Sequence, residues 1–431
     1  MKKTSFVTVL ALGLFFNTHA DATTYTFSEL TSWGSSAPPA TDGSTVAVSS
    51  NPGGWLNRIS TFGYNAASTP TLVAEAVSAS WWPTQGTTIP GSSVGFTRVG
   101  PPSISDGAIA FAGSGGFDAT SAKSGVFTNL GGVLKTVADL QTTVPGSTGT
   151  FSYFDEQTVI MRGDAVVFSA ADAGGKWGVY RSQGGVLEKL IDADTPPPSS
   201  PAGQPPNAPF GYFSDTDYRN GSLAFQSGNG IFVRRPDGSL DTIVAGHTAI
   251  PDDPSGGLWV YMWDIHLAAD DVVFKWGSDW GIGVYRWNDS TGMTNIVDRT
   301  AGLAGIGEIA TDAEGNLAFE LGDAIYIDEV SDADPYLRLI GSGDQLAGKV
   351  LSRVDMSDQG LGDGTVAFKA YFDDGSSGLF LANPVTSKVP EPASLALMLI
   401  ALGLLAVSAR RETAMNPLSE MPVTVRRVEL V

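Results

Sequence analysis

Seven times along this chain, a turn built from Gly, Asp or Asn leads into a short strand of small and β-branched residues. The copies are Asp42–Val48, Asp106–Phe111, Gly163–Phe168, Asn220–Phe225, Asp270–Phe274, Gly315–Phe319 and Asp363–Phe368. Six end in Phe and the first ends in Val48. Their last residues are separated by 63, 57, 57, 49, 45 and 49 positions, too regular for chance likeness in glycine-rich sequence. Every copy but the first is followed by a small residue, an aliphatic and an aromatic. These triplets are Gly125-Val126-Phe127, Gly178-Val179-Tyr180, Gly230-Ile231-Phe232, Gly283-Val284-Tyr285, Ala324-Ile325-Tyr326 and Gly378-Leu379-Phe380.

A third strand is predicted around an apolar pair at Val133-Leu134, Val186-Leu187, Ile243-Val244, Ile296-Val297 and Leu339-Ile340. Aromatic segments upstream, such as Phe151–Phe154 and Phe210–Phe213, supply a fourth. Four short strands repeated seven times at roughly 45–60 residues predict an all-β fold, a β-propeller of seven blades of about four antiparallel strands. A lone four-stranded blade leaves both faces wet, and packing blades around an axis covers them. The recurrent aromatics are then core between blades, and the Gly, Asp and Asn residues are hairpin turns. A β-solenoid would need shorter coils, and a pair of sandwiches predicts no seven-fold register.

The propeller is expected over residues 23–386, because both ends read differently. Lys2 and Lys3 precede a short apolar stretch from Phe6 to Phe16, followed by small residues at Thr18, Ala20 and Ala22. That is the pattern of a secretory signal peptide over residues 1–22, with a short signal helix, cut by signal peptidase. Near the other end, Pro390-Glu391-Pro392 is followed by an uncharged run from Ala393 to Ala409 and then by Arg410-Arg411. The run falls at the lower end of the ~17–25 residues that span a hydrocarbon core as a transmembrane helix. The arginine pair orients its C-terminal end toward the cytoplasm.

This arrangement over residues 387–411 resembles the PEP-CTERM sorting domain. The resemblance implies export, at least transient anchoring in the inner membrane, and processing by an exosortase at Pro390, Glu391, Pro392, Arg410 and Arg411. It also implies an envelope or biofilm-matrix destination in exopolysaccharide-making Gram-negative bacteria. The family usually stops after the basic cluster, whereas here a tail of residues 412–431 follows. The repeats themselves resemble those of other exported bacterial proteins, a likeness that carries no activity to particular residues.

The formal net charge is −20, and the two end segments together are more basic than acidic, so the propeller holds the acidic excess. Nucleic acid is excluded as a partner, since phosphate binding needs a basic face. There is no cysteine, so neither a disulfide nor thiol chemistry is available. No nucleophile elbow, P-loop or dinucleotide fingerprint occurs. His247 and His266 read as ordinary strand or loop residues, and two histidines do not make a multi-histidine zinc site. No cofactor is identified. The clustered pairs Asp192/Asp194, Asp215/Asp217, Asp252/Asp253 and Asp332/Asp334 allow calcium, but none completes an EF-hand and solvated turns account for them.

Trp259, Trp263, Trp276, Trp280 and Trp287 fall within one short stretch. The first four are candidates to stack on sugar rings, against the simpler expectation that large aromatics fill gaps between blades. Two functional classes follow. One is a non-catalytic envelope or matrix protein that binds extracellular polysaccharide or another protein. The other is a secreted glycoside hydrolase or lyase using carboxylates near the axis. An axis lined by converging Asp, Glu, Tyr and Arg would favour the enzyme, and a loosely lined one would favour binding.

The two addresses predict a mature chain that begins near Asp21 or Thr23 and ends before Ala393. Intact-mass measurement of protein recovered from the envelope checks both ends, and retention of Ala393 onward would make the tail a plain anchor.

Overall fold

The computed structural model describes residues 24–31, 37–53, 56–63, 71–77, 86–116, 123–199, 209–245, 248, 261–278, 281–297, 305–328 and 336–385. The signal segment, the sorting segment and residues 412–431 lie outside the described residues. Among the described residues there is no helix. Seven antiparallel sheets follow one another as blades 1 to 7 of a propeller, as the repeat predicts. Their innermost strands are Ala40–Thr41 in blade 1 and the interrupted pair Phe96–Val99 and Ser103–Ser105 in blade 2. Blade 3 has the interrupted pair Phe151–Phe154 and Ile160–Arg162. The last four are Ser214–Arg219, Tyr261–Ala268, Ile306–Thr311 and Lys349–Gly362. In blades 1 to 6 three further strands step outward in chain order.

Blade 7 is different. Its outermost strand is Thr24–Thr31, which joins Ser377–Val385 from the other end of the repeat region and so closes the ring. This accounts for two gaps in the sequence pattern: the seventh copy has no third apolar pair after it, and the first copy is preceded by a spare strand. Asn383 Nδ2 donates to Ser28 Oγ at 3.3 Å across this junction, and Phe27 meets Phe368 edge-on at 6.3 Å.

The two recurrent motifs are cross-strand partners. Phe111 stands opposite Phe127, Phe168 opposite Tyr180, Phe225 opposite Phe232, Phe274 opposite Tyr285, Phe319 opposite Tyr326 and Phe368 opposite Phe380. Ring centroids in these pairs are 5.5 to 6.2 Å apart, near the optimum for aromatic contact. The glycine that opens the second motif is required by the ring two residues on, which folds back over it. A Cβ at Gly230 would fall 2.7 Å from the Phe232 ring, and one at Gly283 would fall 2.9 Å from Tyr285.

The buried apolar residues form seven clusters, one per junction between adjacent blades. The recurrent aromatics are therefore blade-to-blade core. Among the described residues, the cluster joining blade 7 to blade 1 is the thinnest, made of Leu30, Val46, Val48, Ala367, Leu379 and Leu381 with no aromatic. Val48, where the other copies have Phe, is the cause. Two predicted third-strand pairs need correction. Val133 lies before its strand and is 72 % exposed, and the buried residue there is Ala138. In blade 3 the inward pair is Leu190-Ile191, while Val186 is 68 % exposed. Leu187 and Leu134 only pack against the edges of clusters.

Hairpins between first and second strands follow turn chemistry. Asp106-Gly107, Asn220-Gly221 and Asp363-Gly364 all have positive φ at both residues, the tight turn that suits the sheet's twist. At the closing junction the turns pack against each other. A Cβ at Gly362 would lie 2.6 Å from the backbone carbon of Asp42 and from the backbone nitrogen of Gly43. Replacement Gly362→Ala is predicted to destabilise the propeller by about 1–3 kcal/mol, because backbone rather than a flexible side chain must move. Urea denaturation followed by tryptophan fluorescence checks this, and an unchanged midpoint would show that the junction has slack.

Candidate functional site

Polar side chains converge on the propeller axis at three levels. The outermost level is the set of turns just described. Asp42, Asp106, Asp312 and Asp363 line a cavity of about 220 Å³ here. The last inner-strand residues of six blades, Thr41, Ser105, Arg162, Arg219, Thr311 and Gly362, also line it.

The middle level holds Asp217, buried on blade 4. It accepts Arg162 Nη2 from blade 3 at 3.1 Å and the backbone N–H of Leu267 from blade 5 at 2.8 Å. Burial alone would raise its pKa, but Arg162, Arg219, His266 and the Leu267 N–H outweigh that and hold the carboxyl below its ordinary value. Arg219 is also buried, and burial together with the neighbouring Arg162 charge lowers its pKa despite the opposing pull of Asp217 and Asp312. Its Nη2 donates to Thr311 O of blade 6 at 3.2 Å. His266 is buried beside the same carboxylates.

The deepest level is built by bulges. The inner strands of blades 4, 5, 6 and 7 each lose register with their neighbour, between Ser214 and Asp217, Trp263 and His266, Ile306 and Ile309, and Met356 and Leu361. Each irregular stretch carries one carboxylate toward the axis: Asp215, Asp264, Glu308 and Asp358. Asp215 and Asp264 have φ of +41° and +52°, backbone that L-residues other than Asn and Asp rarely adopt. Bulges of this kind re-aim side chains, and such strain collects at functional sites.

Desolvation and the proximity of Asp264 push Glu308 up to about 8. The same causes, in the same order, raise Asp215. Asp358 is raised by desolvation and by Asp264 and Asp217, against the pull of His266 and Arg162. Glu308 and Asp358 nevertheless keep solvent contact, so the channel is open at this level. Asp264 is tied to Lys275, whose Nζ also donates to Gly307 O of blade 6 at 2.8 Å and lies 5.7 Å from the centre of the Trp263 ring.

The tryptophan candidates separate. Trp276 is 0 % exposed, packed against Phe274 and Tyr285, so it has no face to offer a sugar. Trp287 packs on the same cluster and takes Arg235 over its ring at 5.8 Å. Trp263 sits half-buried on the inner strand of blade 5, one residue before Asp264. Trp259, Trp280, His247, Asp252/Asp253, Asp332/Asp334, Pro390, Glu391, Pro392, Arg410 and Arg411 lie outside the described residues.

The aspartate pairs also separate. Asp217 is committed to Arg162 and Leu267, and Asp215 faces Asp264. Asp192 accepts Lys189 Nζ at 2.6 Å, and Asp194 pairs with Lys176. Among the described residues no three carboxylates or imidazoles come together in a metal cage. Sequence spacing missed the grouping of His266 with Asp215, Asp217, Asp264, Glu308 and Asp358, which come from four different blades. Their only shared signal is position, each a few residues before a recurrent turn.

The C-terminal segment matches the PEP-CTERM protein-sorting motif over residues 388–412, which implies export to the cell envelope and processing by an exosortase. Residues 63–245 match a family of unknown function, DUF7453. No curated protein matches the chain. Among solved structures, the chain is similar to the extracellular domain of a one-component system, BT4673, from B. thetaiotaomicron. The identity is 14 %, over 83 % of this chain and 39 % of that one, with a TM-score of 0.38. It is also similar to a prolyl endopeptidase (12 % identity, 84 % of this chain and 51 % of that one, TM-score 0.45). A third is the AfRom2 CNH domain (8 % identity, 83 % and 99 %, TM-score 0.40). The chain spans about two fifths of the length of the first of these and about half of the second.

A raised carboxyl binds its proton more tightly in the folded than in the unfolded chain. The favourable contribution of Glu308 is therefore complete below its ordinary pKa of 4.5 and is lost as pH climbs through about 8. Thermal melting between these pH values is predicted to show Tm falling as pH rises, with a shallower fall in Glu308→Gln. Parallel curves for the two proteins would show that Glu308 ionises without cost.

Proposed function

We propose that this exported, exosortase-sorted protein is a non-catalytic component of the envelope or biofilm matrix whose propeller binds a glycan or a protein, with a glycan the better fit. The observation that carries the reading is the grouping at blades 5 to 7. There, the half-buried ring of Trp263 stands one residue from Asp264, and solvent-accessible Glu308 and Asp358 come from the next two blades. An aromatic face beside hydrogen-bonding carboxyl groups is the chemistry that recognises a sugar, the ring stacking on C–H groups and the carboxyls exchanging hydrogen bonds with hydroxyls. The acidic body disfavours an anionic polymer and suits a neutral or cationic one.

A second reading, a glycoside hydrolase or lyase, draws on the converging Asp, Glu and Arg of the axis. In particular, Glu308 is pushed up to about 8 while Asp217 is held low. Two carboxyls whose environments drive their pKa values apart are the pattern of an acid and a base. Against it, Asp217 is enclosed by Arg162 and Leu267 and has no path to a substrate in this arrangement.

A glycan array probed with the mature chain is expected to give specific binding that Trp263→Ala weakens by roughly tenfold, equivalent to about 1.4 kcal/mol. Binding unchanged in Trp263→Ala would sink the stacking platform. Release of new reducing ends by the wild type, lost in Glu308→Gln, would replace the binding reading with the enzyme.

A further inference from the structure

Two aromatic segments of the repeat have the same spelling. Phe151-Ser152-Tyr153-Phe154 opens the inner strand of blade 3, and Phe210-Gly211-Tyr212-Phe213 leads into that of blade 4. In both, the phenylalanines are core. Phe151 and Phe154 fill the junction between blades 2 and 3, and Phe210 and Phe213 fill the one between blades 3 and 4. The tyrosines are not: Tyr153 is 53 % exposed and Tyr212 is 47 % exposed. Exposed apolar residues scattered singly need no explanation, but these two share a neighbour. The Trp177 ring centre lies 5.5 Å from that of Tyr153 and 4.6 Å from that of Tyr212, edge-on to both.

Sheet register builds this group. Tyr153 stands opposite Ala171 on the second strand of blade 3, and Ala171 stands opposite Trp177 on the third. The small side chain of Ala171 leaves room for the two large rings to meet across it. Trp177 also packs against the core between blades 3 and 4. Tyr212 arrives from the next blade, and its hydroxyl donates to the buried carboxyl of Asp155. The three rings are thus held in place before any ligand arrives, which lowers the ordering cost of binding. The bond to Asp155 accounts for the hydroxyl of Tyr212. It does not account for a ring left in solvent, and it does not apply to Tyr153.

This aromatic shelf is continuous with the grouping at blades 5 to 7. Three residues after Tyr212 comes Asp215, whose carboxyl accepts the backbone N–H of Asp264, the neighbour of Trp263 in the chain. Partly exposed aromatic rings therefore stand at both ends of a run of carboxyls.

We propose that Tyr153 and Tyr212, held by Trp177, form a second sugar subsite, and that the propeller binds a polysaccharide laid from this shelf across Asp215 to Trp263. The inference rests on the glycan reading for the class of ligand and adds its length, a polymer rather than a single sugar. A proline-rich peptide also suits exposed tyrosines, but its proline rings bring no hydroxyls to the carboxyls between the two platforms. A chain that touches both platforms makes its second contact intramolecularly, so affinity grows with length until both are reached.

The test is isothermal titration of the mature chain with oligosaccharides graded from disaccharide to octasaccharide. Four kinds serve as probes: β-1,4-glucan, α-1,4-glucan, β-1,4-linked N-acetylglucosamine and its cationic form, β-1,4-linked glucosamine. For at least one kind, the longest oligomer is expected to bind about tenfold more tightly than the disaccharide. Tyr153→Ala and Trp263→Ala are each expected to remove that length advantage. Tyr153→Phe keeps the ring and is expected to keep the advantage.

The proposal is overturned if no kind shows a length advantage, or if Tyr153→Ala retains it. Loss in Trp263→Ala alone would sink the shelf and leave the Trp263 platform standing. Loss in Tyr153→Ala alone would sink that platform, and the bridging polymer with it, and leave the shelf as the sugar site. A synthetic peptide copying residues 195–209 covers the other occupant. Its binding, lost in Tyr153→Ala while no oligosaccharide binds, would overturn the proposal in favour of a proline-rich partner.

Discussion

The ring is held at its centre by polar side chains of one inner strand that reach the backbone of a neighbouring blade. Asp42 takes Gly107 N, Ser103 takes Met161 N at 2.7 Å, Asp217 takes Leu267 N, and Asp312 takes Gly364 N. Ser357 donates to Pro39 O at 2.8 Å across the closing junction, and Lys275 to Gly307 O between blades 5 and 6. The inner strands belong to separate sheets, and each is the edge of its own blade, with a row of backbone groups that its own ladder leaves unpaired. Their outward-facing backbone groups need partners, and side chains from the next blade provide them. The axis is polar for this structural reason before any question of function arises.

That constraint explains why buried charge is tolerated at the middle level. Asp217 accepts two backbone N–H groups and one guanidinium, so it is fully satisfied. Removing it would strand Arg162 and Arg219 together. The deeper level does not follow the same logic. Asp215, Glu308 and Asp358 have raised pKa values, which means their surroundings disfavour the charged form rather than neutralise it. Asp217 is held low by its partners; these groups behave in the opposite sense. Structural need thus accounts for the middle level, whereas the bulge carboxyls are not held in the charged form by their neighbours.

The fold was legible in the sequence because its signals are local. Gly-aliphatic-aromatic and the preceding Phe strand are cross-strand neighbours through one hairpin, so their spacing carries the pairing. The Asp-Gly and Asn-Gly turns announce themselves by backbone preference alone. Register in the outer strands was less legible: Val133-Leu134 and Val186-Leu187 are apolar, but the strands they precede or begin bury Ala138 and Leu190-Ile191 instead. The axial groups were not legible at all. His266 looks like any strand histidine until blade 4 brings Asp217 and blade 7 brings Asp358, and those neighbours are 49 and 92 residues away in sequence. The two described tryptophans of the candidate set separate for a related reason. Trp263 and Trp276 differ in whether they stand on the inner or the second strand of blade 5, and composition does not record that.

Ring closure links this architecture to export. The strand Thr24–Thr31 follows directly on the predicted signal segment, yet its partner strand ends at Val385, so the ring closes only through strands from both ends of the repeat region. The sorting motif begins at residue 388, only three residues beyond that partner. Every described strand of the propeller therefore precedes the motif in the chain. The closing junction is also the one with the thinnest apolar cluster among the described residues, where Val48 stands in place of the aromatic found in the other copies. A thin seam gains little from hydrophobic burial until Leu30 is in place against Leu379 and Leu381. Its integrity depends on strand pairing, on the Ser357 latch and on the close approach that Gly362 permits. The degeneracy of the first copy and the placement of the sorting motif thus meet at one seam: the propeller is completed by strands from its two ends, and the motif follows the last of them in the chain.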